Sequence, residues 1–192
     1  MKKTILSLAV MAMMATSLFT LTACGDDNTP TPGTKPDDSP TLSSVEVIMT
    51  AKPTDDMWAY MNMSITTTVE NGKTKTFAID ANNLTDTLTV PASALPAIVK
   101  VEYKCSKKEG ATVDPTKDIH YNGVMNFTFN TINSNGTATE CKAIGTYKEK
   151  SNGTIFGGQF DDFFQRMGTV TVGTHTIRIE TDGQPYFQDS TN

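Results

Sequence analysis

The chain has 192 residues, 38% of them hydrophobic, with 16 basic and 21 acidic side chains and a formal charge of −5. That length holds one domain with a proper core. A mildly acidic balance, without a basic stripe or arginine cluster, argues against nucleic acid and anionic membrane surfaces as partners.

The amino terminus reads as an export signal. Lys2 and Lys3 precede an apolar run from Ile5 to Leu21, interrupted only by Ser7, Thr16, Ser17 and Thr20. A membrane-crossing helix wants about 20 steadily apolar residues. This run is shorter and leaves through small residues, which is the plan of a secretory signal. It closes on Leu21-Thr22-Ala23-Cys24, which resembles the lipobox of bacterial lipoproteins. The resemblance implies cleavage after residue 23 and acylation of Cys24, so that residues 1–23 are signal and Cys24 is the lipid site. The other reading is an ordinary cleaved signal with Cys24 as a free thiol. Several acyl chains on one residue anchor stably where one alone would be marginal. Gly25, not Asp, follows the cysteine, so the usual inner-membrane retention signal of enterobacteria is absent. Asp26-Asp27 resembles the short acidic export signal of surface lipoproteins in the Bacteroidota. Together these imply an outer-membrane anchor with the domain facing the cell exterior; the alternative is the periplasmic face.

Residues 25–43 carry four of the nine prolines and almost nothing to bury. Such a composition cannot offset its ordering entropy and is expected to stay extended. With Cys24, residues 24–43 form a stalk that could reach roughly 60 Å if polyproline-like, at about 3.1 Å per residue. Loss of Lys2 and Lys3 with the signal leaves 14 basic residues against 21 acidic ones, a formal −7.

Residues 44–192 are read as a single all-β domain. Val45, Val47 and Met49 alternate with polar neighbours, as do Val99, Val101 and Tyr103, and Met125, Phe127 and Phe129. Ala59, Met61, Met63, Ile65 and Val69 extend the same period. Such alternation describes half-buried antiparallel strands. Turn signals separate them: Asn71-Gly72, Asn122-Gly123, Asn135-Gly136, Asn152-Gly153, Gly173 and Asp182-Gly183. At the first hairpin, a loop over Glu70, Asn71 and Gly72 with Gly72 in a left-handed bulge pairs Ile65 with Phe77 and Met63 with Ile79. A two-residue turn would put those side chains on opposite faces, so the hydrophobic pattern selects the bulged loop.

One segment breaks the period. Phe160, Phe163, Phe164 and Met167 fall at i, i+3, i+4 and i+7, with Asp161 and Asp162 near the start and Gly168 just past the end. This predicts a short helix near 159–167, laying its Phe face over the sheet. The expected architecture is an antiparallel β-sandwich; a closed, lipocalin-like β-barrel is the alternative.

Cys105 and Cys141 are the other two cysteines, an even number in an oxidising compartment. They are expected to form a disulfide, which over a loop of about 37 residues would contribute roughly 4 kcal/mol in the chain-entropy model. The alternative is two buried free thiols behaving as small apolar residues. Metal and cofactor signals are missing: His120 and His175 stand alone, and no HExxH, GxSxG, CxxC or GxGxxG occurs. No catalytic residue is assigned and no cofactor or metal is expected; an enzyme is the minor reading, needing two distant carboxylates to meet in the fold.

Binding has more to stand on. In "DDMWAY", Trp58 and Tyr60 would share an outward strand face beside Asp55, Asp56 and Asn62. Adjacent rings with carboxylates and an amide are what a sugar-binding surface uses; the opposing reading makes Trp58 a core residue. Asp86-Thr87-Leu88 and Asp189-Ser190-Thr191 match the short O-glycosylation pattern described for exported Bacteroidota proteins, making Thr87 and Ser190 candidate modification sites. The expected function is a surface-anchored, non-enzymatic binding module for a glycan or a protein. An accessory subunit of an outer-membrane complex, or a barrel holding a small apolar ligand, are the alternatives.

Overall fold

The structure, a computed structural model, describes residues 39–70, 72, 74–145, 147 and 152–188. The signal, Cys24, nearly all of the stalk, and Ser190 lie outside the described residues. In chain order the elements are β1 (Leu42–Ala51), α1 (Asp55–Tyr60), β2 (Met61–Val69), β3 (Thr74–Ile79), β4 (Thr85–Pro91), β5 (Ala97–Lys107) and β6 (Asp118–Asn122). They continue as β7 (Met125–Asn133), β8 (Ala138–Cys141), β9 (Asn152–Phe156), α2 (Phe160–Met167), β10 (Thr169–Ile179) and β11 (Pro185–Gln188).

The strands form two facing antiparallel sheets, ordered β4-β1-β7-β8 and β11-β10-β5-β2-β3, and a small β6-β9 ribbon. Neither large sheet closes on itself, so the fold is a β-sandwich and not a barrel. The period-two pattern sorts the faces as expected. Val45, Val47 and Met49 from one sheet, and Ile65, Val99, Val101, Tyr103, Ile177 and Ile179 from the other, are buried between them. Tyr103 is fully enclosed; its hydroxyl donates to Met63 Sδ at 3.2 Å, and burial raises its pKa.

The β2–β3 register pairs Ile65 with Phe77 and Met63 with Ile79. Gly72 reaches that register without a left-handed φ: its N–H donates to Val69 O at 2.8 Å in an ordinary turn. Gly173 is not a turn residue either, but sits inside β10 where the pairing with β5 slips between Thr171 and Gly173. A Cβ at this bulge would press on the backbone of Gly123, at 2.7 Å from its oxygen.

Helix α2 forms where the i, i+3, i+4, i+7 pattern places it. Phe160 and Phe164 are buried, Phe163 packs against the core, and Met167, at the open end, is 57% exposed. Gly168 ends it with φ +62° and its N–H on Phe164 O at 2.8 Å, a conformation that glycine adopts without penalty.

The segment 55–60 is a second helix, not a strand. Thr54 caps it, its hydroxyl accepting from Met57 N at 3.1 Å, with Asp55 and Asp56 in the first turn. The alternation through Ala59 therefore stops at Met61. Ala59 is exposed, and Met57 takes the buried position instead.

Candidate functional site

Helix α1 is fastened to β6. Asp56 Oδ2 accepts from His120 N at 2.8 Å, and Thr54 donates to His120 O at 2.6 Å. Asn122 N approaches Met57 Sδ at 3.4 Å from the same strand. These contacts fix the rotation of the helix and hence where its side chains point. Residues two apart on a helix project to nearly opposite sides. Both rings are half-buried against the core, but they meet different neighbours: Tyr60 meets Phe160 edge-on at 6.1 Å between centroids, whereas Trp58 borders a groove. The two rings do not share a platform. Asp56 is consumed by the β6 contact, and Asp55 is exposed in the capped first turn.

Trp58 instead walls a groove of about 600 Å³. Met61, Met63 and Ile79, nearly wholly buried, contribute to its lining, and Asn62, Asp80 and Lys108 supply its polar groups. That volume lies within the range of sites that hold small ligands. Lys108 Nζ leans back toward Trp58 O at 3.4 Å, and Asn62 Nδ2 toward Lys107 O at 3.4 Å, both long contacts that a ligand could replace. Asp80 Oδ1 accepts from Asn82 N at 2.8 Å, which orients the carboxylate and leaves acceptor capacity. The structure thus retains Trp58 and Asn62 from the expected set and adds Asp80 and Lys108. Their strand-end positions show no periodic signal in the sequence.

Two further hollows lie at the ends of β5 and α2, of about 560 and 510 Å³. They share Lys107 and Asp161, whose ion pair is 2.6 Å long.

The two histidines serve packing and strand contacts. His120 is exposed and its Nδ1 is 3.1 Å from Thr154 Oγ1. His175 is buried, stacked on Tyr147 at 4.9 Å and edge-on to Phe127 at 5.2 Å. Among the described residues no three metal-ligating side chains converge, and no helix is long and apolar enough to cross a membrane.

Cys105 and Cys141 are free thiols, not the expected disulfide. Cys105 is buried on β5, the middle strand of its sheet, whereas Cys141 is on β8, an end strand of the other. Phe127 and Phe129 of β7 pack on His175 and Phe187, so β7 already faces β10 and β11 and β8 lies further from β5 still. A bond needs Cα atoms within about 7 Å. Burial pushes the Cys105 thiol up to about 12, and raises that of Cys141, whose Sγ points to Phe129 O at 3.6 Å. Thr87 is exposed on the end strand β4, but the preceding Asp86 is buried against Lys75.

No family model, curated protein or solved structure matches the chain.

Proposed function

We propose that this chain is a lipid-anchored surface protein whose sandwich domain binds a glycan, without catalysis, in the groove beside Trp58. One observation carries the reading: the only tryptophan in the chain is half-buried at a groove rather than sealed in the core. An aromatic face is an apolar surface for the C–H face of a sugar ring. Asn62, Asp80 and Lys108 then provide a mixed set of donors and acceptors for its hydroxyls. The lipobox-like stretch ending at Cys24 and the acidic pair after it support an outer-membrane anchor that presents the domain to the exterior.

The lone tryptophan makes the test direct. Trp58 emission and acrylamide quenching are recorded on the full chain in detergent, alone and with a panel of polysaccharides. Protection from quenching by a glycan is the expected outcome, and binding of that glycan measured by titration calorimetry, which needs no tryptophan, is expected to be lost in Trp58→Ala with the fold intact. Emission that no polysaccharide alters would remove the groove as a sugar site and shift the reading to a protein partner. For the anchor, Cys24→Ser is expected to abolish palmitate labelling; undiminished labelling would refute lipidation at that residue.

A further inference from the structure

We infer that the groove at Trp58 is one end of a longer track that takes an uncharged polysaccharide lengthwise across the strand ends, rather than a single sugar. The inference rests on the glycan reading proposed above and deepens it.

The strand register carries the argument. Asn62 on β2 lies opposite Ser106 on β5, and Ser106 opposite Thr169 on β10. Asn62 lines the Trp58 groove, while Ser106 and Thr169 line the hollow beside α2. All three have the parity of Ser64 and Lys104, opposite to that of the buried Met63 and Cys105, so they share the outer face of the sheet. Asp80 follows Ile79, the partner of Met63, and so extends the row beyond Asn62. With strands about 4.8 Å apart, the row from Asp80 to Thr169 crosses three gaps, roughly 14 Å. That is longer than one sugar ring and joins two hollows that each admit a ligand.

The row is composed of hydroxyl, amide and carboxylate groups, all able to pair with sugar hydroxyls. Gln165, exposed on α2, adds an amide at the far end. Charge along the track balances locally. Lys107 is neutralised by Asp161 at 2.6 Å, and Lys108 lines the same groove as Asp80. An anionic polymer would gain nothing from such a surface, whereas an uncharged one pays no repulsion.

The experiment uses the full chain in detergent with three oligosaccharide series, of glucose linked α-1,4 or β-1,4 and of N-acetylglucosamine, each from one unit to six. In the series that protects Trp58, affinity is expected to rise about tenfold between two units and six, as successive subsites fill. Gln165→Ala is expected to weaken the six-unit ligand about fivefold and leave the two-unit ligand unchanged, the loss of one hydrogen bond at the far end. Trp58→Ala, whose binding is read by titration calorimetry because the fluorophore is gone, is expected to lose both. Thr169→Val serves as the second far-end variant, with circular dichroism checking that each variant folds. Equal affinity for two and six units, or no effect of either far-end variant, would overturn the track while leaving the groove reading standing. Failure of all three series to protect Trp58 would overturn the track and the glycan reading together.

Discussion

Replacing Lys75 by methionine keeps the side-chain stem and removes only its charge, which isolates one buried interaction between the two sheets. Lys75 on β3 reaches Asp86 on β4 with Nζ 2.6 Å from Oδ1. The Asp86 side chain is 8% exposed and that of Lys75 51%. The second carboxylate oxygen, Oδ2, is buried with no hydrogen-bond partner among the described residues. Removing one partner of a fully buried pair costs about 3–5 kcal/mol, because the other charge stays behind. Water reaches the half-exposed ammonium and screens the pair, so about half that cost is expected here, about 1.5–2.5 kcal/mol. In a domain of this size that lowers Tm by roughly 3–10 °C. Lys75→Met combined with Asp86→Leu removes both charges and the orphaned oxygen together, and is expected to return to parental stability or exceed it. Thermal unfolding at pH 7, followed by circular dichroism, reads Lys75→Met, Asp86→Leu, the double variant and the parent as a double-mutant cycle. A Lys75→Met protein within about 0.5 kcal/mol of the parent would refute the reasoning. A double variant less stable than Lys75→Met alone would refute it too, since the orphaned oxygen would then carry no cost.

The thiols and Glu102 yield further expectations. In denaturant without reductant, Cys105 and Cys141 are expected to react with Ellman's reagent as two free thiols. In the native protein at pH 8 Cys141 reacts first and Cys105 waits for unfolding, because burial holds its thiol at about 12; a need for reductant would reveal a disulfide. The Glu102 carboxyl is held below its usual range, chiefly by the hydrogen bond from Lys100 at 2.9 Å, with Lys104 at 3.1 Å also lowering it. A depressed acid contributes stability above its unfolded pKa and loses it as pH falls through the folded one. Glu102→Gln is therefore expected to be less stable than the parent at pH 7 and to converge with it in acid, below the range where the free carboxyl titrates. A gap that persists unchanged at pH 2 in urea titrations would contradict this.

Much of the architecture was written in local patterns. Alternation at Val45-Val47-Met49 and Val99-Val101-Tyr103 placed those residues inward, because a strand turns every second side chain to the same face. Phe160, Phe163 and Phe164 announced α2 by their spacing, and the β2–β3 register followed from keeping Ile65 and Phe77 on one face. Helix α1 also had a local signal, Thr54 followed by Asp55 and Asp56, the cap and first turn that a helix start uses. It was hidden by Ala59, which happens to continue the alternation of Met61 and Met63 in a helix only six residues long.

The sequence by itself determined the antiparallel all-β class, the inward faces and α2, since each depends on neighbours within a few residues; that the sheets stay open as a sandwich was decided by strand order. Only the tertiary structure decided that Tyr60 meets Phe160 while Trp58 meets a groove, because the docking of α1 on β6 sets the helix rotation across more than sixty residues of chain. It likewise decided that Cys105 and Cys141 stay apart, and that Asp80, Asn62, Ser106 and Thr169 fall in one row. Those outcomes depend on strand order and cross-strand register, which join positions distant in sequence and leave no period along it.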